Sequence, residues 1–400
     1  MSPPDPFKPP SPEMALLLRC AAPGAEPAEV PVLDWPRFLA LATHHHLLPP
    51  VARRLNAIAD AGARVPGEWL GYFQRQAERI SAFNLRAAGI LRRLQRLARE
   101  RDLRLIPVKG PALAAWAYGD IALRQFEDLD LVVRREDLLR AVDMLEAEGY
   151  RLRELPPGAD RRRYLATGQD WSMERPGKPP HLDLKPVLIS HTLCGFESAD
   201  WLLRASRPVA TGDGGTLEAP GPEAMLLAVC VDGANEGWPK LSAVADVAAL
   251  LANQAGADWA GLLTDAGRLG QRRSVLTGAA LAERLLACPL PAPLADALRR
   301  DPLSRRLAET AARPLVAGRL PRDDGWRAVR FAWRTRDDGR ARFRYLRRVL
   351  CVPGAADLAA FALPPPLDPL YACLRPVRLA WDALRGRSRR IPQPAEASSP

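Results

Sequence analysis

The sequence predicts an α+β fold in which a small mixed sheet is flanked by N-terminal and C-terminal helical regions. Two observations carry this. Apolar residues recur at three- and four-residue steps before residue 102 and again after residue 218, as amphipathic helices require. Between those points, short apolar runs closed by turn residues replace that period, as strands do. The expected organisation is a disordered leader over 1–12, a helical region over 13–101, the sheet-bearing core over 102–218 and a second helical domain over 219–350. A closing segment packed on the core should occupy 351–387, and a disordered tail 388–400.

Pro, Ser and Asp dominate residues 1–12 without any period, hence the leader. From Glu13 to Arg75 the pattern is helical, with Phe38, Leu39, Leu41 and Ala42 leading into His44-His45-His46. The stripe Ile80, Phe83, Ala87, Leu91, Leu94, Ala98 predicts a long helix over 78–101, with arginines and Gln95 on its other face. Leu103–Val108, closed by Lys109-Gly110-Pro111, reads as a strand ending in a turn, and Ala112–Tyr118 as a short helix. Asp128–Val133 is a second strand, and Arg135–Glu148 a helix stopped by Gly149. Asp170–Glu174 and His181–Leu188 form two more strands around a Pro-Gly turn. After Glu218 only helices are expected: Pro222–Ala234, Leu241–Leu251, Asp258–Ala266, Ser274–Ala287, Leu294–Ala311 and an arginine-dense Arg327–Leu350.

Composition narrows the class. A chain of 400 residues that is 48% hydrophobic buries a core, which excludes a disordered or collagen-like protein. The six cysteines are dispersed with no C-x-x-C pair, against a zinc site or a disulfide framework. The apolar run Ala224–Val231 falls well short of the roughly 20 residues that span a bilayer. Residues 1–12 lack the apolar stretch of a signal peptide, so a cytoplasmic location with reduced thiols is expected. Of 57 cationic side chains only five are lysines, namely Lys8, Lys109, Lys178, Lys185 and Lys240.

The chemistry concentrates at Asp128-Leu129-Asp130. Residues two apart on a strand share a face, and paired carboxylates on an apolar strand must be solvated, paired or metal-bound. A divalent ion with oxygen ligands meets that need, and two such ions bridging phosphate oxygens stabilise nucleotidyl transfer. In His181-Leu182-Asp183-Leu184-Lys185 the alternation puts Asp183 and Lys185 on one face, offering a third carboxylate able to take a proton from an attacking hydroxyl. Two of the rare lysines, Lys109 and Lys185, stand beside these acids, where a compact cation suits phosphate. Lys109-Gly110 at a helix start also presents free backbone N–H groups to an anion.

Leu105-Ile-Pro-Val-Lys-Gly110-Pro-Ala-Leu-Ala, Tyr118-Gly-Asp120, Leu123-Arg124, Asp128-Leu-Asp-Leu-Val-Val133 and the helix ending Glu148-Gly149-Tyr150 resemble the uncharacterised bacterial nucleotidyltransferase family, of the polymerase-beta-like superfamily. Phe38–Pro49, Gly237–Asp246, Leu363–Leu367 and Leu374–Leu379 extend the likeness over residues 30–385. The resemblance implies a nucleotidyltransferase core and two Mg²⁺ ions held by Asp128, Asp130 and Asp183, with Asp183 as base. It implies AMP transfer from ATP, or another nucleotide, to a hydroxyl of an unidentified small molecule, peptide or protein. Lys109-Gly110 would meet the triphosphate where the superfamily carries a Gly-Ser loop, although this chain has no serine there; Tyr118-Gly119-Asp120 competes for that role. Arg124 and Lys185 would add phosphate contacts. Val231–Trp238 lacks the histidines typical of the family.

A rival reading is a non-catalytic nucleotide- or nucleic-acid-binding module on a decayed nucleotidyltransferase fold. Nine arginines between Arg327 and Arg348, interleaved with Trp326, Phe331, Trp333, Phe343 and Tyr345, would suit nucleic acid or an anionic membrane. Asp323, Asp324, Asp337 and Asp338 dilute that field, so a solvated helix is expected there and nucleic acid is not the expected partner.

Overall fold

The structure, a computed structural model, describes residues 10–24, 30–153, 171–177, 179–186, 197–318, 325–361 and 363–384. Most of the expected leader, the expected tail and the end of the strand foreseen to Leu188 lie outside these residues. Four helices open the chain: α1 (Pro12–Ala21), α2 (Trp35–His44), α3 (Leu48–Asp60) and α4 (Gly67–Arg99). Side-chain caps start the first two, since Ser11 Oγ accepts from Met14 N–H at 3.3 Å and Asp34 Oδ1 from Arg37 N–H at 3.0 Å. Helix α4 begins before the expected Glu78. Its first turns carry a second set of aromatics: Trp69 stacks on Trp35 at 6.0 Å and Phe73 meets Phe38 at 5.7 Å, so packing extends the helix backwards.

The sheet holds β1 (Ile106–Pro107), β2 (Asp128–Val132), β3 (Arg151–Leu152), β4 (Trp171–Glu174) and β5 (His181–Lys185), in the order β1-β2-β5-β4-β3. The β2/β5 pair is parallel and the other pairs are antiparallel, which makes the sheet mixed. Strand β5 therefore has a neighbour on each side. Helices α5 (Gly110–Tyr118) and α6 (Leu138–Ala147) follow β1 and β2, and Gly149 closes α6 at φ +86°.

A hairpin, β6 (Ser206–Ala210) with β7 (Thr216–Pro220), stands where no strand was expected. Two prolines and only a few apolar residues hide its alternation. Gln95, assigned to a polar face by periodicity, is buried and pins the hairpin to the sheet. Its amide donates to Glu218 O at 2.7 Å and Leu105 O at 3.0 Å, and accepts from Glu218 N–H at 3.1 Å.

Helices α7 (Glu197–Arg204), α8 (Pro222–Glu236), α9 (Leu241–Asn253), α10 (Trp259–Arg268) and α11 (Arg272–Leu286) precede α12 (Ala292–Arg299) and α13 (Pro302–Val316). The last two replace the single helix expected over 294–311. Asp301 caps α13 by accepting from Leu303 N–H at 3.2 Å and bonding Ser304 Oγ at 3.0 Å, and Pro302 occupies its first turn. The arginine-dense stretch likewise divides, into α14 (Gly325–Arg334) and α15 (Gly339–Cys351), before α16 (Ala355–Phe361) and α17 (Tyr371–Leu384). Arg336 at the break is fully buried and donates to Gln271 and Asn235. Asp337 accepts from Arg272 N–H at 2.9 Å and Arg273 N–H at 2.7 Å, and Asp338 caps α15 through Ala341 N–H at 2.7 Å. These two acids terminate and start helices; they were expected only to dilute charge.

One apolar cluster runs from Met14 to Phe331 and takes residues from both helical regions and from the sheet. His45 joins the two regions, its Nδ1 accepting from Leu241 N–H at 3.2 Å. Burial, with His44 and Lys240 nearby, lowers its pKa to about 4. The unfolded chain therefore takes this proton near pH 6.5 and the folded chain only near 4. Stability from His45 is complete above that window and should fall by about 1.4 kcal/mol per pH unit on acidification through it. Chemical denaturation of His45→Gln against the parent across this range should remove that slope.

Candidate active site

Alternation on β2 turns Leu129 and Leu131 into the core and Asp128 and Asp130 to the opposite face. The parallel register sets Asp183 of β5 directly beside Asp130. One carboxylate oxygen from each of Asp128, Asp130 and Asp183 lies within 4.8 Å of the other two. Asp130 and Asp183 are buried, whereas Asp128 reaches solvent at the start of β2. From β4, Ser172 stands opposite Asp183 and donates its hydroxyl to Asp183 Oδ1 at 2.5 Å, which fixes the carboxylate's orientation.

Both expected lysines converge on Asp130. Lys185 Nζ lies 2.8 Å from its Oδ1, and Lys109 Nζ 3.6 Å from its Oδ2. Lys109 also pairs with Asp232 on α8. The field divides the acids. Burial pushes Asp130 upward, but Lys185 and Lys109 outweigh it and hold the carboxyl at about 2. Asp128 is raised to about 6 by the desolvating walls around it, then by the charges of Asp130 and Asp183. For Lys109 burial opposes the charge, and Asp232 and Asp130 overcome it to raise the pKa.

Gly110 opens α5 at φ +55°, and a Cβ there would come 3.1 Å from Leu129 Cδ2, so the turn after β1 needs glycine to press against β2. Gly119 closes the same helix at φ +67°. The two candidate phosphate turns thus stand about 13 Å apart along the axis of α5, and the Lys109-Gly110 end adjoins the acids. Arg124 Nε donates to Asp246 Oδ2 at 3.0 Å, and Tyr118 Oη to Asp246 Oδ1 at 2.9 Å. Asp246 is therefore an internal ion-pair partner linking α9 to the turn before β2. Arg124 Nη1 is buried with no hydrogen-bond partner among the described residues.

Sequence reasoning passed over three groups here. Ser172 carries no local signal. Asp232 and Glu236 lie in the stretch noted only for its lack of histidines, yet they form an i,i+4 pair on a largely apolar helix, which is a readable sign of a shared polar face. Glu236 also reaches solvent, and its carboxyl is raised to about 7 by the surrounding protein and then by Asp232. Of the histidine cluster, His46 Nε2 lies 3.1 Å from Lys240 Nζ and His45 serves the core. A cavity of about 340 Å³, lined by Ile80, Phe83, Phe126, Pro179 and His181 among others, adjoins the start of β2, since His181 is the register partner of Asp128.

A family model described as "uncharacterised nucleotidyltransferase" matches residues 31–287. The chain belongs to this family, and with it to the nucleotidyltransferases as a class. No curated protein matches the sequence.

Proposed function

We propose that the protein transfers a nucleoside monophosphate, AMP from ATP being the simplest case, to a hydroxyl of an acceptor in a Mg²⁺-dependent reaction. The convergence of Asp128, Asp130 and Asp183 within 4.8 Å carries this reading. The donor set fits the metal: three carboxylates, all hard oxygen ligands, gathered on adjacent strands. Mg²⁺ held there would neutralise charge on the reacting phosphates.

The chain's own residues supply the rest. Lys109, the α5 N-terminus and Lys185 bind the triphosphate by charge and by free N–H groups. A phosphate oxygen would satisfy the unpartnered Nη1 of Arg124. The apolar cavity beside β2, with Phe83 and Phe126, suits the face of a nucleobase. The acceptor oxygen attacks the α-phosphorus, its proton passes to Asp183, and the bond to the bridging oxygen breaks to release pyrophosphate. Ser172 holds Asp183 in position for that proton.

Single-turnover transfer from labelled ATP tests this, with acceptor extracts screened as substrates. Asp128→Ala and Asp183→Ala should abolish label transfer, and persistence in either variant contradicts the assigned roles. Because Asp128 sits at about 6, protons should compete with the metal below that pH. Mg²⁺ affinity by calorimetry is expected to fall about tenfold per pH unit on the acid side and to level off above it. Nucleotide affinity indifferent to Mg²⁺ and to all three acids would favour the non-catalytic module.

A further inference from the structure

The chain's net charge of +11 is almost entirely local. Residues 325–390 hold fifteen arginines against five aspartates, a net +10, and four of those arginines fall at Arg385, Arg387, Arg389 and Arg390, immediately after α17. The rest of the chain is nearly neutral. The same region concentrates exposed apolar surface: of the ten large hydrophobic residues that are exposed among the described residues, seven lie between residues 333 and 381. All of this lies beyond the family match, which ends at residue 287.

The helices sort these residues by face. On α15, Ala341, Tyr345 and Val349 are buried, while Arg340, Phe343, Arg344 and Arg347 recur at i, i+3, i+4 and i+7 on the exposed side. On α17, Tyr371, Arg375 and Leu379 are buried, and Cys373, Val377 and Trp381 follow the opposite stripe. Phe343 is 68% exposed, Val377 65% and Trp381 53%. The two helices are tied together by Arg375 Nε, which donates to Val349 O at 2.8 Å. Asp357 holds the base of the assembly by pairing with Arg375 and Arg378.

We infer that these C-terminal helices, led by the exposed arginine and phenylalanine stripe of α15, dock the protein on an anionic lipid surface. On α15 Phe343 stands among Arg340, Arg344 and Arg347 on one exposed face, which matches an interfacial amphipathic helix whose apolar group enters the acyl boundary while guanidinium groups meet phosphates, and α17 adds the exposed apolar Val377 and Trp381. A polybasic run directly after such a helix strengthens attraction to anionic headgroups. A second copy of the chain would set +10 against +10. A nucleic acid would use the arginines and aromatics and leave Val377 and Leu370 without a role. No helix of the described residues is long and apolar enough to cross a membrane, so the contact is interfacial.

The test is co-sedimentation of the full chain with vesicles of phosphatidylcholine alone and of equal parts phosphatidylcholine and phosphatidylglycerol. Binding is expected to the mixed vesicles only, weakening as salt is added. Arg344→Gln with Arg347→Gln should weaken it roughly fivefold per arginine. Phe343→Ala with Trp381→Ala should weaken it at unchanged salt dependence. Should a helix variant lower the melting temperature, Arg387→Gln with Arg389→Gln and Arg390→Gln, which alter only the arginine run that follows α17 in sequence, provide the same reading. The inference is overturned by equal binding to neutral vesicles, by no binding to anionic ones, or by variants that bind like the parent. Salt-sensitive binding of duplex DNA without vesicle binding would assign the face to nucleic acid. A dimer dissociated by the apolar variant, again without vesicle binding, would assign it to self-association.

Discussion

Asp128→Asn is expected to raise the melting temperature while abolishing transfer. Three carboxylates within 4.8 Å repel one another, and at Asp128 this adds to desolvation to hold the pKa near 6. At neutral pH the folded protein therefore keeps a charge there that its own environment disfavours. The sign follows directly. A carboxyl whose folded pKa lies above its unfolded value costs stability above that window and stops doing so once it is protonated. Asparagine removes the charge and keeps the shape, so the gain should be largest above pH 6 and vanish in acid. Activity moves oppositely, because loss of the proposed metal ligand and of its field at the reacting phosphate should cost roughly 10³-fold or more. A more stable, inactive variant is the signature of a functional site maintained against folding stability. Asp130→Asn should not share the gain, since Asp130 neutralises Lys185 at 2.8 Å and Lys109 at 3.6 Å.

Asp246→Ala carries the largest expected loss of stability. Asp246 is 2% exposed and satisfies both Arg124 and the Tyr118 hydroxyl. Truncating it leaves a largely buried guanidinium, 14% exposed, without its counter-charge, a change that costs up to about 3–5 kcal/mol. The damage should reach the site as well, since Arg124 lies in the turn that enters β2. Asn84 already fixes that turn, its amide donating to Ile121 O at 2.6 Å and Arg124 O at 2.8 Å. Urea denaturation is the check. Arg124→Met with Asp246→Leu should recover much of the loss by replacing the pair with apolar volume, yet should not recover phosphate binding if Arg124 contacts the nucleotide.

The carboxylates were legible because the signal is local. Acid-x-acid on an apolar strand fixes one face by the strand period alone, and His181–Lys185 repeats the pattern. The scarcity of lysine marked Lys109 and Lys185. What remained hidden depends on contacts across the chain. Asp232 reaches Lys109 over 123 positions, and Gln95 reaches Glu218 over the same separation. Neither partner has a local feature that names the other. Asp301, Asp337 and Asp338 show a different blind spot. Each reads as a surface acid inside an apparent helix, whereas in the fold each ends or begins one by capping backbone N–H groups. The hairpin β6–β7 stayed hidden because Pro208 and Pro220 interrupt its short alternation, while the bonds from Gln95 that hold it are made across 123 positions.

The most direct measurement compares ATP labelled at the α-phosphate with ATP labelled at the γ-phosphate, each incubated with the protein, Mg²⁺ and an acceptor extract. Nucleotidyl transfer at the three carboxylates requires that the α label alone enter the acceptor, that pyrophosphate be released in step, and that Asp183→Ala or chelation of Mg²⁺ stop both. Transfer of the γ label, or α-label transfer that survives Asp183→Ala, would contradict the account.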